Sequence, residues 1–426
     1  MITTLCISFI AAILLGIPIA FAMLTATAVA MFVEGTLPFA LIAQRVGAGV
    51  ENFTYLAIPL FILAGSIMEE SGISTRLVGL ARALVGHIRG GMGQVVIVSE
   101  IFFSGISGAS LSDASAIGSL MYPTLRKSGY ERGRAVALIA AACAMGILIP
   151  PCLTMVVLGA LAGVSVGALF VAGFLPGLVM AFALMLLVYV QARRGLLPGG
   201  EPRVSWGDTW RAFRAAIIPL MLPGIIFGGI LGGVFSPTEA ASIAVLYALV
   251  VAVFVYRELS AAALYRILVQ TATITGAIGL VLGAAAAFTS LLALSGVPAQ
   301  VASAVTGLSR NPIVFLIAAN LIFMLFGAIL DGIPALLLFV PILMPVSNQL
   351  GIDPLHFTLV AVASLGVGLI LPPIGILLLV ICSITQAPLG EVSRAMWPYL
   401  VILGVCLLFI IAVPSVVLVL PRAFGL

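Results

Sequence analysis

The chain has 426 residues, of which 63% are hydrophobic and only 8% charged. Soluble proteins run nearer half apolar and about a quarter charged, so the composition excludes a soluble domain and points to several bilayer spans of about 20 residues each. Lys plus Arg is 18 and Asp plus Glu 14, and the net charge of +4 is too small to suggest a nucleic-acid partner.

In chain order, continuous apolarity predicts spans over 2–15, 18–34, 54–70, 132–164, 169–192, 216–232, 237–256, 266–292, 356–384 and 397–420. The first is short, and 2–34 also reads as one long helix kinked at Pro18. Met1 to Phe32 lacks the basic start of a cleavable signal peptide and is expected to belong to the mature membrane protein. Two further apolar stretches, 92–123 and 313–345, are interrupted halfway by Ser104-Gly105-Ile106-Ser107-Gly108-Ala109-Ser110 and by Gly327-Ala328-Ile329-Leu330-Asp331-Gly332. A lipid-exposed span does not tolerate such breaks, because freed backbone groups cost several kcal/mol each in hydrocarbon. Both are read as re-entrant helical hairpins with tips buried in protein. Cys6, Cys143, Cys152, Cys382 and Cys406 lie in or beside apolar runs, with no CxxC and no nearby His, so neither a disulfide nor a zinc framework is expected.

With both hairpins re-entrant, the arginine-rich loops 73–91, 124–134, 193–215 and 257–266 fall on one side, which the positive-inside rule makes cytoplasmic. Loops 296–312 and 346–355 then face out. Residues 74–88 and 205–215, the latter with Trp206 and Trp210, are expected as interfacial arms.

The chain also repeats itself at a spacing of 222: Gly105 answers to Gly327, Pro123 to Pro345, Gly129 to Gly351, Gly146 to Gly368 and Pro150-Pro151 to Pro372-Pro373. Ser71-Gly72 resembles Ser295-Gly296 at a slightly different spacing, and Pro18 answers to Pro237. Five spans precede the second copy, so it enters the membrane inverted. The expected organisation is a first repeat over 1–195 (hairpin 92–123, broken helix 132–164), a linker and arm over 196–215, and a second repeat over 216–426 (hairpin 313–345, broken helix 356–384). An all-α polytopic protein of about ten spans, with paired hairpins and broken helices, has the architecture of a secondary transporter. Each double proline removes two amide donors, and the free carbonyls and half-helix ends suit a small cation and an anionic substrate.

Asp331, at the second tip, is an intramembrane carboxylate and reads as a cation ligand, with capping of the return helix as the alternative. Ser107 and Ser110 flank Gly108 at the first tip, where their hydroxyls suit a cation or a substrate carboxylate; helix capping is the competing role. Thr154 offers a third hydroxyl, although back-bonding to its own helix is the plainer expectation. Asp113 is expected to cap, Glu100 to line a cavity or pair with a loop arginine, and Glu239 to cap its helix behind Ser236-Pro237-Thr238. His87 and His356 are placed at the membrane interfaces. No nucleotide-binding GxxxxGK[ST], HExxH or paired Ser/His signature is present, so an enzyme is not expected.

The stretches Gly91-Met-Gly-Gln94, Gly105-Ile-Ser-Gly-Ala-Ser110, Ser128-Gly-Tyr130 and Gly146-Ile-Leu-Ile-Pro-Pro151 resemble the large membrane subunit of tripartite ATP-independent periplasmic (TRAP) transporters. So do Phe326-Gly-Ala-Ile-Leu-Asp331, Pro341 to Pro345, Gly351-Ile-Asp-Pro-Leu-His356 and Leu371-Pro-Pro-Ile-Gly375, and the resemblance runs over essentially the whole chain. It implies a sodium-driven importer of a small organic anion, such as a C4-dicarboxylate or sialic acid, working by an elevator motion in the bacterial inner membrane. It also implies two partners: a smaller four-helix membrane subunit on a separate chain, and a soluble periplasmic substrate-binding protein. Carried over by position, one sodium site involves Gly105, Ser107, Ser110, Gly146 and Pro150, and a second involves Gly327, Asp331, Gly332, Gly366, Gly368 and Pro372. Family members often carry Thr before the second double proline; here it is Leu371, which removes one hydroxyl. The rival readings are a stand-alone sodium-coupled di- or tricarboxylate carrier of similar build, and a channel or scaffold.

Overall fold

A computed structural model of the chain describes residues 1–35, 38–330 and 332–426, and among these residues every regular element is helical. The N-terminal apolar stretch divides into α1 (Ile2–Leu14) and α2 (Ile19–Glu34), with Pro18 at the α2 N-cap. These are two helices rather than one kinked helix. They pack on each other, and the Met1 amino group meets Glu34 at 2.9 Å, closing the open end of an antiparallel pair.

Then come α3 (Ala40–Val50), α4 (Ala57–Glu70) and the amphipathic α5 (Ile73–Val85). Next are α6 (Gly91–Ser107) and α7 (Ser110–Lys127), joined by only Gly108 and Ala109 and packed against each other as a hairpin. Helix α8 (Arg132–Gly146) stops ahead of Pro150-Pro151, α9 (Leu153–Ala162) resumes after it, and α10 (Val166–Arg193) follows. The second half supplies α11 (Trp206–Leu231), α12 (Pro237–Val250), α13 (Ala261–Leu294) and α14 (Val297–Leu308). Its hairpin is α15 (Pro312–Ile329) with α16 (Gly332–Gln349); its broken helix is α17 (Pro354–Gly368) with α18 (Ile376–Thr385); α19 (Leu389–Ala412) and α20 (Ser415–Ala423) end the chain. Among the described residues, eight helical segments are long and apolar enough to cross a membrane.

Four places differ from the sequence expectations. The arm over 205–215 is not separate from the span over 216–232. Ser205 caps the helix through the Asp208 amide at 3.1 Å, and with no Gly or Pro between Thr209 and Pro219 the helix continues for 26 residues, about 39 Å. Helices α3 and α14 lie where only loops were expected. The last expected span, 397–420, is cut between α19 and α20 at Val413-Pro414.

The packing is reciprocal between the halves. Helix α7 packs on α18 and α16 on α9; α8 packs on α19 and α17 on α10; and α8 and α17 cross each other. This exchange of partners is what two copies related by a twofold axis produce. Gly366 makes the central crossing possible: a methyl group built on it would stand 2.6 Å from the Ala144 carbonyl oxygen. Around the exchanged body, α13 packs on α2, α3 and α4, and α4 packs on α12. The two bodies meet where α4 touches α6 and α9, and where α13 touches α16.

Candidate functional site

The first hairpin tip is fastened to the first broken helix. Gly108 ends α6 in the left-handed region (φ 66°), and its carbonyl accepts the Leu153 amide at 3.0 Å, one residue beyond the double proline and its Cys152. A methyl on Gly108 would come 2.6 Å from the Pro151 carbonyl oxygen, and one on Gly105 would lie 3.7 Å from that of Pro150. Ser104 Oγ donates to the Gly146 carbonyl at 2.6 Å in a fully buried bond. The C-terminal ends of α6 and α8 and the N-terminal ends of α7 and α9 therefore converge, so carbonyl and amide dipoles of both signs face one small volume.

Gly105, Ser107, Gly146 and Pro150 are thus brought together, and Ser110 opens α7 beside them. Neither serine of the tip acts as a cap, since the N-cap of α7 is Ala109 and no side chain caps it. Thr154 is buried in the first turn of α9. It makes no bond back to its own helix of the kind Thr358 and Thr385 make to Pro354 and Ile381, and its hydroxyl lies beside the Cys152 thiol.

Asp113 lies in the first turn of α7, yet its carboxylate caps nothing: it is fully buried, with the hydroxyls of Ser104 and Ser107 beside it. Glu100 on α6 is also fully buried, lines no cavity and meets no arginine. Its Oε2 accepts only the Cys143 thiol, at 3.5 Å, and its Oε1 is unpartnered. Both expectations for these carboxylates are therefore corrected. Glu239 does cap, in a reciprocal box with Ser236. His356 is buried in the first turn of α17, its Nε2 3.0 Å from the Ile410 carbonyl.

Between the two bodies lies a cavity of about 520 Å³. Ser107, Ala109 and Leu153 form its deep end, Gly65 and Ser66 of α4 its wall, and Glu69, Glu70, Arg266 and Gln270 its mouth at the arginine-rich end of the molecule. Gly65 allows the approach, because a methyl there would stand 3.0 Å from Ser107 Cα. Arg266 pairs with Glu70 at 2.6 Å, and Ser112 of α7 donates to Glu69 at 3.4 Å across the gap. Sequence reasoning missed this mouth by assigning Arg266 to a loop. The signal was an arginine one turn inside a 34-residue helix, opposite two acids that end another span.

In the second hairpin, Asp331 lies outside the described residues. Gly327 and Gly332 both abut Leu365, Gly366 abuts the Ala144 carbonyl, and Gly368 abuts the Met324 backbone, so α15, α16 and α17 meet at backbone distance. Pro372 is half-buried and Pro373 exposed, whereas Pro150 and Pro151 are buried. Ser364 joins α17 to α15 through Asn320 Oδ1 at 2.5 Å.

Residues 6–416 match the family described as "Tripartite ATP-independent periplasmic transporter, DctM component". The chain is 35% identical over 410 residues to the sialic acid TRAP transporter large permease protein SiaM of Vibrio cholerae, covering 96% of each chain. It is 38% identical over 376 residues to the C4-dicarboxylate TRAP transporter large permease protein DctM of Pseudomonas aeruginosa, covering 88% of each. In fold it is similar to the YdaH transporter of Alcanivorax borkumensis, with a TM-score of 0.66 at 16% identity, over 88% of this chain and 87% of that one.

Proposed function

Because the chain belongs to the DctM component family of TRAP transporters, and is thus a large permease subunit of the bacterial inner membrane, we propose that it imports a small organic anion, a carboxylate or sugar acid, coupled to sodium. The observation that carries this reading is the polar cavity that runs from the first hairpin tip to Arg266 between two separately packed bodies. With the arginine-rich loops cytoplasmic, the cavity opens to the cytoplasm and the conformation is the one that releases substrate inward. The hydroxyls of Ser107, Ser110 and Thr154 and the N-terminal ends of α7 and α9 hold the anion at the deep end.

One sodium ion binds at Gly105, Ser107, Ser110, Gly146 and Pro150. A second binds at Gly327, Asp331, Gly332, Gly366, Gly368 and Pro372. Transport is an elevator movement in which the exchanged hairpin and broken-helix body slides past α4, α12 and α13. A small four-helix membrane subunit and a periplasmic binding protein complete the system, the second delivering the anion on the opposite side.

The test is uptake of radiolabelled organic acids into proteoliposomes holding this chain and the small subunit, with the cognate binding protein outside, with and without an inward sodium gradient. Sodium-dependent uptake that requires the binding protein is expected, and Asp331→Ala should lower it at least tenfold. Uptake by this chain alone would favour a stand-alone carrier. Uptake indifferent to sodium would remove both cation sites.

A further inference from the structure

A second cavity, of about 260 Å³, lies between the same two bodies. Ala160 and Leu161 of α9 and Leu337 of α16 line one side, and Asn52, Tyr55, Thr289 and Ser290 line the side of α4 and α13. Leu153, at the deep end of the first cavity, and Ala160 stand two turns apart on α9, about 10 Å, so the two cavities follow one another along one helix. Asn52 and Tyr55 precede α4, whose far end carries Glu69 and Glu70. The second cavity therefore lies toward the face opposite the arginine-rich loops, which is the outer one.

This outer cavity is the counterpart of the first in the inverted repeat. At the spacing that carries Ser71-Gly72 onto Ser295-Gly296, Ile62, Gly65 and Ser66 fall on Ala286, Thr289 and Ser290; at the spacing of the hairpins, Ser115 falls on Leu337. Each residue of the first set lines the inner cavity, and each counterpart lines the outer one. Two copies of one surface on opposite sides of the deep end are what a route through an inverted repeat requires. The charge is not copied. Glu69 and Glu70 fall on Ala293 and Leu294, and among the described residues no Asp, Glu, Lys, Arg or His lines the outer cavity.

The polar groups found there are neutral and largely unengaged. Asn52 Oδ1 accepts the Thr54 amide at 2.9 Å, which leaves the side-chain nitrogen as a donor. Thr289 donates to the Ala285 carbonyl at 2.7 Å, which leaves its oxygen as an acceptor. Among the described residues, the hydroxyls of Tyr55 and Ser290 meet no partner within the chain. Neutral hydroxyls and an amide pair well with hydroxyls of a substrate, whereas a carboxylate is held best by charged donors or helix N-termini. The helix N-termini lie at the hairpin tip and not here.

We propose that Asn52, Tyr55, Thr289 and Ser290 form an outer subsite that holds the hydroxylated part of a polyhydroxy acid entering from outside, while its carboxylate turns toward the hairpin tip. The subsite selects against a plain dicarboxylate, whose second charge would be desolvated there without a charged partner. It rests on the importer reading above and narrows the substrate class of that reading.

The experiment uses proteoliposomes holding the chain and its small subunit, with the cognate binding protein outside, as wild type, Tyr55→Phe, Ser290→Ala and the pair. Uptake of gluconate, N-acetylneuraminate and succinate is followed under an inward sodium gradient. The wild type should take up a hydroxylated acid in preference to succinate, and each lost hydroxyl should lower its uptake at limiting concentration about threefold to tenfold, with the melting temperature unchanged. In a Cys6→Ser background, Ser290→Cys is treated in intact cells with a membrane-impermeant methanethiosulfonate. Labelling from outside is expected, slowed at least threefold by the transported acid with sodium. Wild-type uptake by the pair, with Ser290→Cys unprotected, overturns the subsite and leaves the importer standing. Uptake of succinate and of neither hydroxylated acid overturns the substrate class and the subsite with it. Should the pair not fold, the labelling decides alone: a Ser290→Cys that the reagent does not reach, or that the acid leaves unprotected, overturns the subsite. Failure of the importer reading shows differently, as absence of sodium-driven uptake of every organic acid by the wild type.

Discussion

At the scale of single residues, the close approaches are set by glycine. Gly366 lies against the Ala144 carbonyl and the Ile147 side chain, where a methyl would come within 2.6 Å of each. One of these neighbours is backbone and cannot turn aside, so Gly366→Ala should destabilise by about 1–3 kcal/mol through overpacking. Gly404, inside α19, has nothing within 4 Å of a built methyl, so Gly404→Ala should be neutral or stabilise by up to about 1 kcal/mol through helix propensity. Melting of the purified protein in detergent, read by intrinsic fluorescence, distinguishes the two; equal shifts would mean that the α8–α17 crossing is not tight. Gly366 entered the second site only through the family resemblance, whereas the helix break beyond it was legible from the double proline Pro372-Pro373. The Glu100 and Asp113 environment was not legible. Asp113 sits where any capping aspartate would, and only the tertiary packing of α7 on α6 and α8 shows that it is fully buried and caps nothing.

At the scale of elements, the hairpins and the broken helices followed from two local facts, Gly-rich interruption and paired proline, each with one physical outcome. The arms followed less well. Helix α5 showed itself by two arginines, Arg76 and Arg82, whereas its counterpart α14 has none and passed as a loop. Extending the match of Ser71-Gly72 with Ser295-Gly296 downstream would have found it, since α5 and α14 begin directly after those pairs. Helix α5 is held at its far end by Arg82, whose Nε and a terminal nitrogen reach Glu201 at 2.7 and 2.9 Å, and nearer its start by Arg76, which stacks 3.6 Å over the Tyr256 ring. The two-point geometry between Arg82 and Glu201 is good, but Arg82 is 55% exposed, and exposed pairs contribute little. A double-mutant cycle with Arg82→Ala and Glu201→Ala should give a coupling energy below about 1 kcal/mol that shrinks in high salt. A larger, salt-resistant coupling would mean that the arm is clamped far more firmly than its exposure allows.

At the scale of the whole molecule, the question is which surfaces part during transport. Helices α4 and α13 pack with α2, α3 and α12, whereas α6 packs on α5, α7 and α8, and α7 packs on α8 and on α18 of the other repeat. The cavity lies along this division, and across it Ser112 of α7 reaches Glu69 of α4 at 3.4 Å. An elevator must separate this pair in every cycle, while a channel or a fixed scaffold need not. In a Cys6→Ser background, where the remaining native cysteines are buried, Glu69→Cys with Ser112→Cys can be bridged by a short, reducible bis-methanethiosulfonate reagent. Bridging should abolish uptake, reduction should restore it, and either single cysteine treated in the same way should keep most of its activity. The reagent should also act faster without the binding protein than during turnover, because the described conformation is the one that holds the pair together. Undiminished uptake by fully bridged protein would show that α4 and α7 travel together, and the moving body would then have to be drawn along a different boundary.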